Sequence, residues 1–196
     1  MLFRSFLFLD PWSNLISASE SFSNSTWTRE PGLGLSEGAD DPEGRPRATQ
    51  LTNTSGALQS LAQSIAVPAW FHYSFSVFAR SALPAQVRLI VSTDGAFVER
   101  LFELTSEWQR YSIFSAMNST NDAMEVSVQL PAGTMIELFG AQLEAQPAPS
   151  QYQQTLLRTG RYAEARFAAD SLTQVSISPS LHSTVLRIFS RVTADA

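Results

Sequence analysis

The chain has 196 residues, no cysteine, and 13 basic against 18 acidic side chains, for a net charge of -5. This excludes disulfides, thiolate metal sites and cysteine nucleophiles, and it argues against a nucleic-acid binder that relies on a basic surface. A domain of about 150 residues buries roughly 70% of its unfolded surface, so the length suffices for one domain with extensions and no staple. Every basic residue is arginine. That reads mainly as genomic compositional bias, although arginine also suits planar, bidentate contacts between subunits.

The elements follow in chain order. Residues 1–12, MLFRSFLFLDPW, are apolar at Leu2, Phe3, Phe6, Leu7, Phe8 and Leu9. The run is shorter than the roughly 20 residues a bilayer span needs, and it lacks the long apolar core and small-residue cleavage site of a signal peptide. It is expected to be an N-terminal arm buried on a partner subunit or on its own domain, since a free apolar arm would aggregate. Residues 14–27 are expected to hold a short strand and a Ser/Asn turn. Residues 28–47, punctuated by Pro31, Gly32, Gly34, Gly38, Pro42, Gly44 and Pro46, are expected to be loop. A short strand is expected at 48–52.

Residues 57–67 fit helical spacing at Leu58, Leu61 and Ile65, but their place among strands favours β. Pro68 and Ala69 then make a turn. Residues 70–80, WFHYSFSVFAR, alternate with Phe71, Tyr73, Phe75, Val77 and Ala79 on one face and His72, Ser74, Ser76 and Phe78 on the other, the period-2 signal of a strand. Strands follow at 86–92 and 96–104 around the tight-turn pair Asp94-Gly95, and at 108–116. Val126, Val128 and Leu130 then alternate with Ser127 and Gln129. Pro131-Ala132-Gly133 turns the chain into a strand through Ile136 and Leu138, with Gly140 expected on the same face. After Glu144 a Gln-, Ala- and Pro-rich stretch cannot continue a ladder. About eight short strands with turn signals roughly every 8–12 residues are the pattern of an all-β sandwich, which a Greek-key jelly roll would close. Beyond it, 172–178 and 184–191 read as two strands of a hairpin. A lone hairpin is marginal in water, so this one must dock or pair with another chain.

Five pieces in order carry a family resemblance. Asn14-Leu15, Ser19-Glu20, Phe22, Asn24 and Trp27 resemble an opening N-L-x-x-S-E-x-F-x-N-x-x-W, with three residues rather than two between Leu15 and Ser19. Asp41-Pro42-Glu43-Gly44 resembles an A-P-D-G turn, and residues 73–80, YSFSVFAR, resemble a Y-T-F-S-V-Y-A-K strand. Trp108, Arg110 and Ser112 match W-x-R-x-S. Residues 139–144, FGAQLE, followed by Pro149, Ser150 and Tyr152, resemble W-G-A-Q-L-E…P-T-S-Y, with Phe for the usual Trp. Residues 14–155 therefore resemble a domain of bacteriophage tail and head-fibre proteins that is similar to galactose-binding-like, carbohydrate-binding-module jelly rolls. The expected architecture is an arm at 1–13, a jelly-roll domain at 14–155 and a β extension at 156–196 for docking or oligomerisation.

The resemblance implies a non-enzymatic structural protein of a phage or phage-like particle, located in the virion. Its partners would be other copies of itself, other virion subunits and a cell-surface glycan, with no nucleic acid and no membrane insertion. The alternative is a carbohydrate-binding module of a glycan-recognition or glycan-degrading system. Sugar sites combine aromatic platforms with planar polar groups. Trp27, Trp70, Tyr111, Arg88, Arg110, Glu125 and Gln129 are the candidates, with Trp108 a further available aromatic. Against this stands the plainer reading that Trp27 and Trp108 plug the ends of the core. Related jelly rolls carry a structural ion, and Glu20, Asp40, Asp41 and Glu144 would offer hard oxygen ligands to calcium, or else are ordinary loop carboxylates without EF-hand spacing. His72 and His182 are the only imidazoles, and neither lies in a nucleophile elbow, a metal-spaced pair or a phosphate loop. No catalytic residue is assigned.

Overall fold

A computed structural model describes residues 2–7, 14–67, 72–93, 96–116, 123–156 and 189–194. The chain divides into two compact units, residues 1–10 with 161–196, and residues 11–160. In the first, β1 (Leu2–Leu7) pairs antiparallel with β12 (Phe189–Ala194), from Leu2↔Ala194 to Leu7↔Phe189. The described partner of the apolar arm is thus the chain's own last strand. The expected partner strand 172–178 lies outside the described residues, as do 184–188; residues 189–191 pair with β1.

The second unit is a sandwich of two five-stranded antiparallel sheets. One runs β2 (Thr28–Arg29), β5 (Gln59–Ala66), β10 (Ala123–Leu130), β7 (Ala85–Thr93), β8 (Ala96–Leu104) in spatial order. The other runs β3 (Leu33–Ala39), β4 (Ala48–Asn53), β11 (Met135–Glu144), β6 (His72–Arg80), β9 (Gln109–Ala116). None of the described residues is helical. The alternation read from the sequence decides which side chains meet between the sheets. Leu61, Ile65, Val87, Leu89, Val91, Val126, Val128 and Leu130 bury from one, and Leu51, Tyr73, Phe75, Val77, Ile113, Ile136, Leu138 and Leu143 from the other. Each large aliphatic or aromatic side chain so buried stabilises the fold by about 1.5–3 kcal/mol relative to leaving it exposed.

Of residues 57–67, Gln59–Ala66 form a strand and none is helical. Three expectations fail. Residues 14–27 hold no strand: they run as consecutive turns, with Ala18 at φ 50°. Cross-bonds from Leu15 N to the Leu143 carbonyl (2.8 Å) and from Ala141 N to the Ser19 carbonyl (2.9 Å) hold them. Residues 28–47 are not simply loop, since β2 and β3 lie there. β3 is an edge strand bonded to β4 alone, so it needs no continuous apolar face, and Gly38 at φ 94° makes a bulge between Glu37 and Ala39. Gly140 also departs from its expected place. It sits at φ 61° in a second bulge, where the β11–β6 register breaks between Phe139 and Gln142. The Asp94-Gly95 turn and the Pro68-Ala69 turn lie outside the described residues; the pair Thr93↔Ala96 brackets the first.

Candidate functional site

The outward face of the β3-β4-β11-β6-β9 sheet is built in cross-strand rows, because opposed residues in an antiparallel ladder point to the same side. One row runs Ser36↔Gln50↔Glu137↔Arg80, with Trp108 just ahead of β9 at its end. Arg80 Nε donates to Glu137 Oε2 at 2.6 Å, and its guanidinium lies 4.8 Å from the Trp108 ring centroid. Arg80 Nη2 and Trp108 Nε1 both donate to the Asp40 carbonyl, at 3.4 and 3.2 Å. An amide, a carboxylate, a guanidinium and an indole are therefore held side by side, each half-buried. Gln50, Glu137 and Arg80 border a hollow of about 200 Å³, with Ser81, Ala82, Ser106 and Met135 also in its wall. Arg80 ties Glu137 and Trp108 together, Gln50 stands beside Glu137 in the row, and between them these planar groups can both donate and accept.

The next rows of the same face are covered by the segment after β11. Tyr152 lies over Phe139 and Phe78, with ring centroids 5.6 and 6.1 Å away. Its hydroxyl shares a hydrogen bond with Ser19 Oγ (2.8 Å) and donates to Glu20 Oε1 (3.1 Å). Gln142 accepts from Gln153 N at 2.7 Å and donates to the Gln151 carbonyl at 3.3 Å. Glu144, fully buried, accepts from Ser150 N (3.0 Å), the Ser150 hydroxyl and Gln146 Nε2 (2.8 Å), while Arg110 donates to the Ser150 carbonyl and to Ser76 Oγ. Side chains here recognise the backbone of the chain's own strap.

A larger hollow of about 440 Å³ is lined by Glu20, Ser21, Asn24, Glu37, Arg47 and Gln154 among others. Burial raises the Glu20 pKa, with the nearby Arg47 charge opposing part of that rise. Burial also pushes the Tyr152 phenol well above its usual range. Asp41 goes the other way. Burial would raise it, but hydrogen bonding from Arg45 N and the Arg47 guanidinium outweighs that and holds it below the ordinary carboxylate value.

The seven residues proposed from sequence for a sugar site are not brought together. Trp27 is 5% exposed, packs on Phe22 and donates its indole N–H to the Ala18 carbonyl; Tyr111 is 8% exposed and donates to the Glu103 carbonyl. Both are core residues, so neither can serve as an exposed platform. Arg88, Glu125 and Gln129 share the outward face of the other sheet, where Arg88 pairs with Glu99 at 3.2 Å and Gln129 donates to Ser60. Arg110 is committed to the strap, and Trp70 lies outside the described residues. Of the four carboxylates proposed for calcium, two are brought together, but around a cation: Asp41 and Glu20 both pair with Arg47, at 2.6 and 3.4 Å. Asp41 also holds the 41–45 turn, Glu20 meets Tyr152 and Gln154, Glu144 holds Ser150, and Asp40 contributes its carbonyl to Trp108. No three His, Asp or Glu side chains among the described residues could hold a metal ion. Sequence reading missed Gln50, Arg80 and Glu137. Their signal was present in part: each stands out of phase with a buried apolar run, opposite one another only once the register is known.

No protein-family model matches the chain, and no curated protein matches it in sequence. Solved structures do. The enzymatically active domain of tailspike protein 4 from bacteriophage CBA120 superposes with a TM-score of 0.56 at 12% identity, covering 70% of this chain and 22% of that one. The module TmCBM61, solved with beta-1,4-galactotriose, superposes at 0.54 and 16% identity, covering 68% of this chain and 99% of that one. The CBM22-1 xylan-binding domain of Paenibacillus barcinonensis Xyn10C superposes at 0.52 and 16% identity, covering 69% and 96%. The fold is a jelly roll. Its neighbours are mostly carbohydrate-binding modules, and at these identities the likeness speaks to architecture alone.

Proposed function

We propose that this jelly roll is a non-catalytic carbohydrate-binding module that takes glycan on the Gln50–Glu137–Arg80–Trp108 row. The observation that supports it is the row itself. Sugars present hydroxyls and apolar ring faces together, and the row offers planar hydrogen-bonding groups ending in an indole, on the part of the face that the strap leaves open. Structural neighbours that bind galactotriose and xylan add support. No base, nucleophile and orienting group converge among the described residues, and exposed His72 stacks on Phe114 at 5.4 Å, so turnover forms no part of the reading.

The test is calorimetry with β-1,4-linked galacto- and xylo-oligosaccharides, preceded by a glycan array to find the ligand. Trp108→Ala and Gln50→Ala should each weaken binding by about tenfold, near 1.4 kcal/mol, with unchanged circular dichroism. An array without hits, or Trp108→Ala binding as tightly as the native chain, would sink the proposal.

A second reading is supported by the tailspike likeness: a structural subunit of a phage or phage-like particle, carrying this module to a host surface. Mass spectrometry of purified particles tests it. Absence of the chain from every particle fraction counts against it.

A further inference from the structure

β8 is the outermost strand of its sheet and bonds β7 alone. Edge strands are normally blunted by shortness, bulges, proline or well-placed charge. At the other edges, β2 is two residues long, β3 is bulged, and β9 keeps its exposed Phe114 stacked on His72. β8 runs nine residues with neither bulge, glycine nor proline; it carries Glu99, Arg100 and Glu103, and exposes Phe97 at 67%, Leu101 at 48% and Val98 at 41%.

The register shows which of its backbone groups are free. Thr93↔Ala96 closes a two-residue connection, so that pair exchanges both hydrogen bonds, and every second residue after Ala96 does the same. Phe97, Glu99, Leu101 and Glu103 therefore turn their N–H and C=O groups away from β7. The Glu103 carbonyl agrees: it accepts from the Tyr111 hydroxyl at 3.2 Å.

We propose that β8 is a self-association edge, pairing antiparallel with β8 of a second copy about a two-fold axis at Glu99. A two-fold normal to the sheet keeps each face on its own side, so opposed residues must share a face. Centred on Glu99, Phe97 meets Leu101 of the second copy, twice, and Val98 meets the stem of Arg100. Each Glu99 carboxylate already pairs with Arg88 at 3.2 Å, so the axis brings together two ion pairs rather than two bare charges. Other centres are worse. Centring on Arg100 opposes two arginines and sets Phe97 against Glu103. Centring on Leu101 opposes Glu99 to Glu103 and needs the carbonyl that Tyr111 holds. Centring on Val98 sets Phe97 against Glu99.

The symmetry has a functional consequence that rests on the glycan reading. An axis normal to this sheet leaves the second sheets of both copies on one side, so both Trp108 rows face the same way. On a glycan-bearing surface, two such sites engage with an avidity gain of roughly 10²–10⁴.

The native chain has no cysteine, so one introduced thiol reports cleanly. In the full chain, Glu99→Cys should form a disulfide-linked dimer on mild oxidation, since hydrogen-bonded antiparallel partners stand about 5.5 Å apart at Cα. Ser36→Cys, on the β3 edge, should not. Light scattering should show a concentration-dependent dimer that weakens at least tenfold in the Phe97→Asp, Leu101→Asp double variant, with unchanged circular dichroism. Cross-linking of Glu99→Cys no faster than Ser36→Cys, a native chain that stays monomeric at the highest attainable concentration, or dimerisation untouched by the double variant would each overturn it. Binding of a soluble oligosaccharide is measured separately, so failure of the glycan reading is distinguishable from failure of the edge.

Discussion

Replacing Gly140 by alanine tests whether the strap after β11 is a fixed part of the fold. Gly140 sits at φ 61°, where an L side chain costs about 1 kcal/mol. Its Cβ would stand 3.0, 3.1 and 3.3 Å from three carbons of the Tyr152 ring, against an ordinary separation of about 3.5–4.0 Å. The ring has little room to yield, because Phe78 and Phe139 flank it and its hydroxyl is tied to Ser19 and Glu20. Forcing it aside adds about 1–3 kcal/mol of overpacking. The sum is about 2–4 kcal/mol, or about 5–15 °C in midpoint for a domain of this size. Urea unfolding followed by tryptophan fluorescence measures it. In a Tyr152→Ala background only the backbone cost of about 1 kcal/mol should remain, giving a coupling of about 1–3 kcal/mol. Equal losses in both backgrounds would refute the reasoning, since the ring would then not be what the new methyl meets.

Asn14→Ala should cost about 2–4 kcal/mol by the same assay. Its side chain, 1% exposed, serves the Ala141 and Gln153 carbonyls and the Ile16 and Leu143 N–H groups, and its loss strands buried backbone. Asp41→Asn should cost about 2–3 kcal/mol at pH 7, because a buried carboxylate accepts from Glu43 N, Arg45 N and Arg47 Nε. Asp41 has a lowered pKa, so its contribution is present above the unfolded value near 3.9 and fades as pH falls through the folded one; the variant's stability should decline less steeply in acid. Glu20 has a raised pKa, so its contribution runs oppositely, present in acid and lost as pH rises through the folded value. Glu20→Gln should remove that loss, read as a stability curve that falls less as pH rises above the free glutamate value of about 4.3.

How much the sequence could show depended on the range of the interaction. β6, β7, β10 and the first half of β11 announced themselves because burial on one face writes period-2 alternation into adjacent residues. β3 did not, because an edge strand bonded on one side tolerates Gly34, Ser36 and Gly38, which read as loop. The opening at 14–27 misled in the reverse sense. Its apolar residues are buried, but by turns docked on β11 and the strap, through partners 127 to 139 positions away. The same limit explains the candidate site. Trp27 and Tyr111 were proposed as platforms because large aromatics look alike in sequence whether they plug a core or face solvent, and only packing on Phe22 or Phe102 separates the two. Gln50, Arg80 and Glu137 lie far apart in sequence and become one row only when β4, β11 and β6 are laid edge to edge. The motif Phe139-Gly140-Ala141-Gln142-Leu143-Glu144, legible as a resemblance, shows why such a run matters physically. Its glycine makes room for Tyr152, its glutamine bonds the strap on both sides, and its glutamate holds Ser150. One short stretch thereby decides which part of the sheet face the chain covers with itself and which part it leaves open.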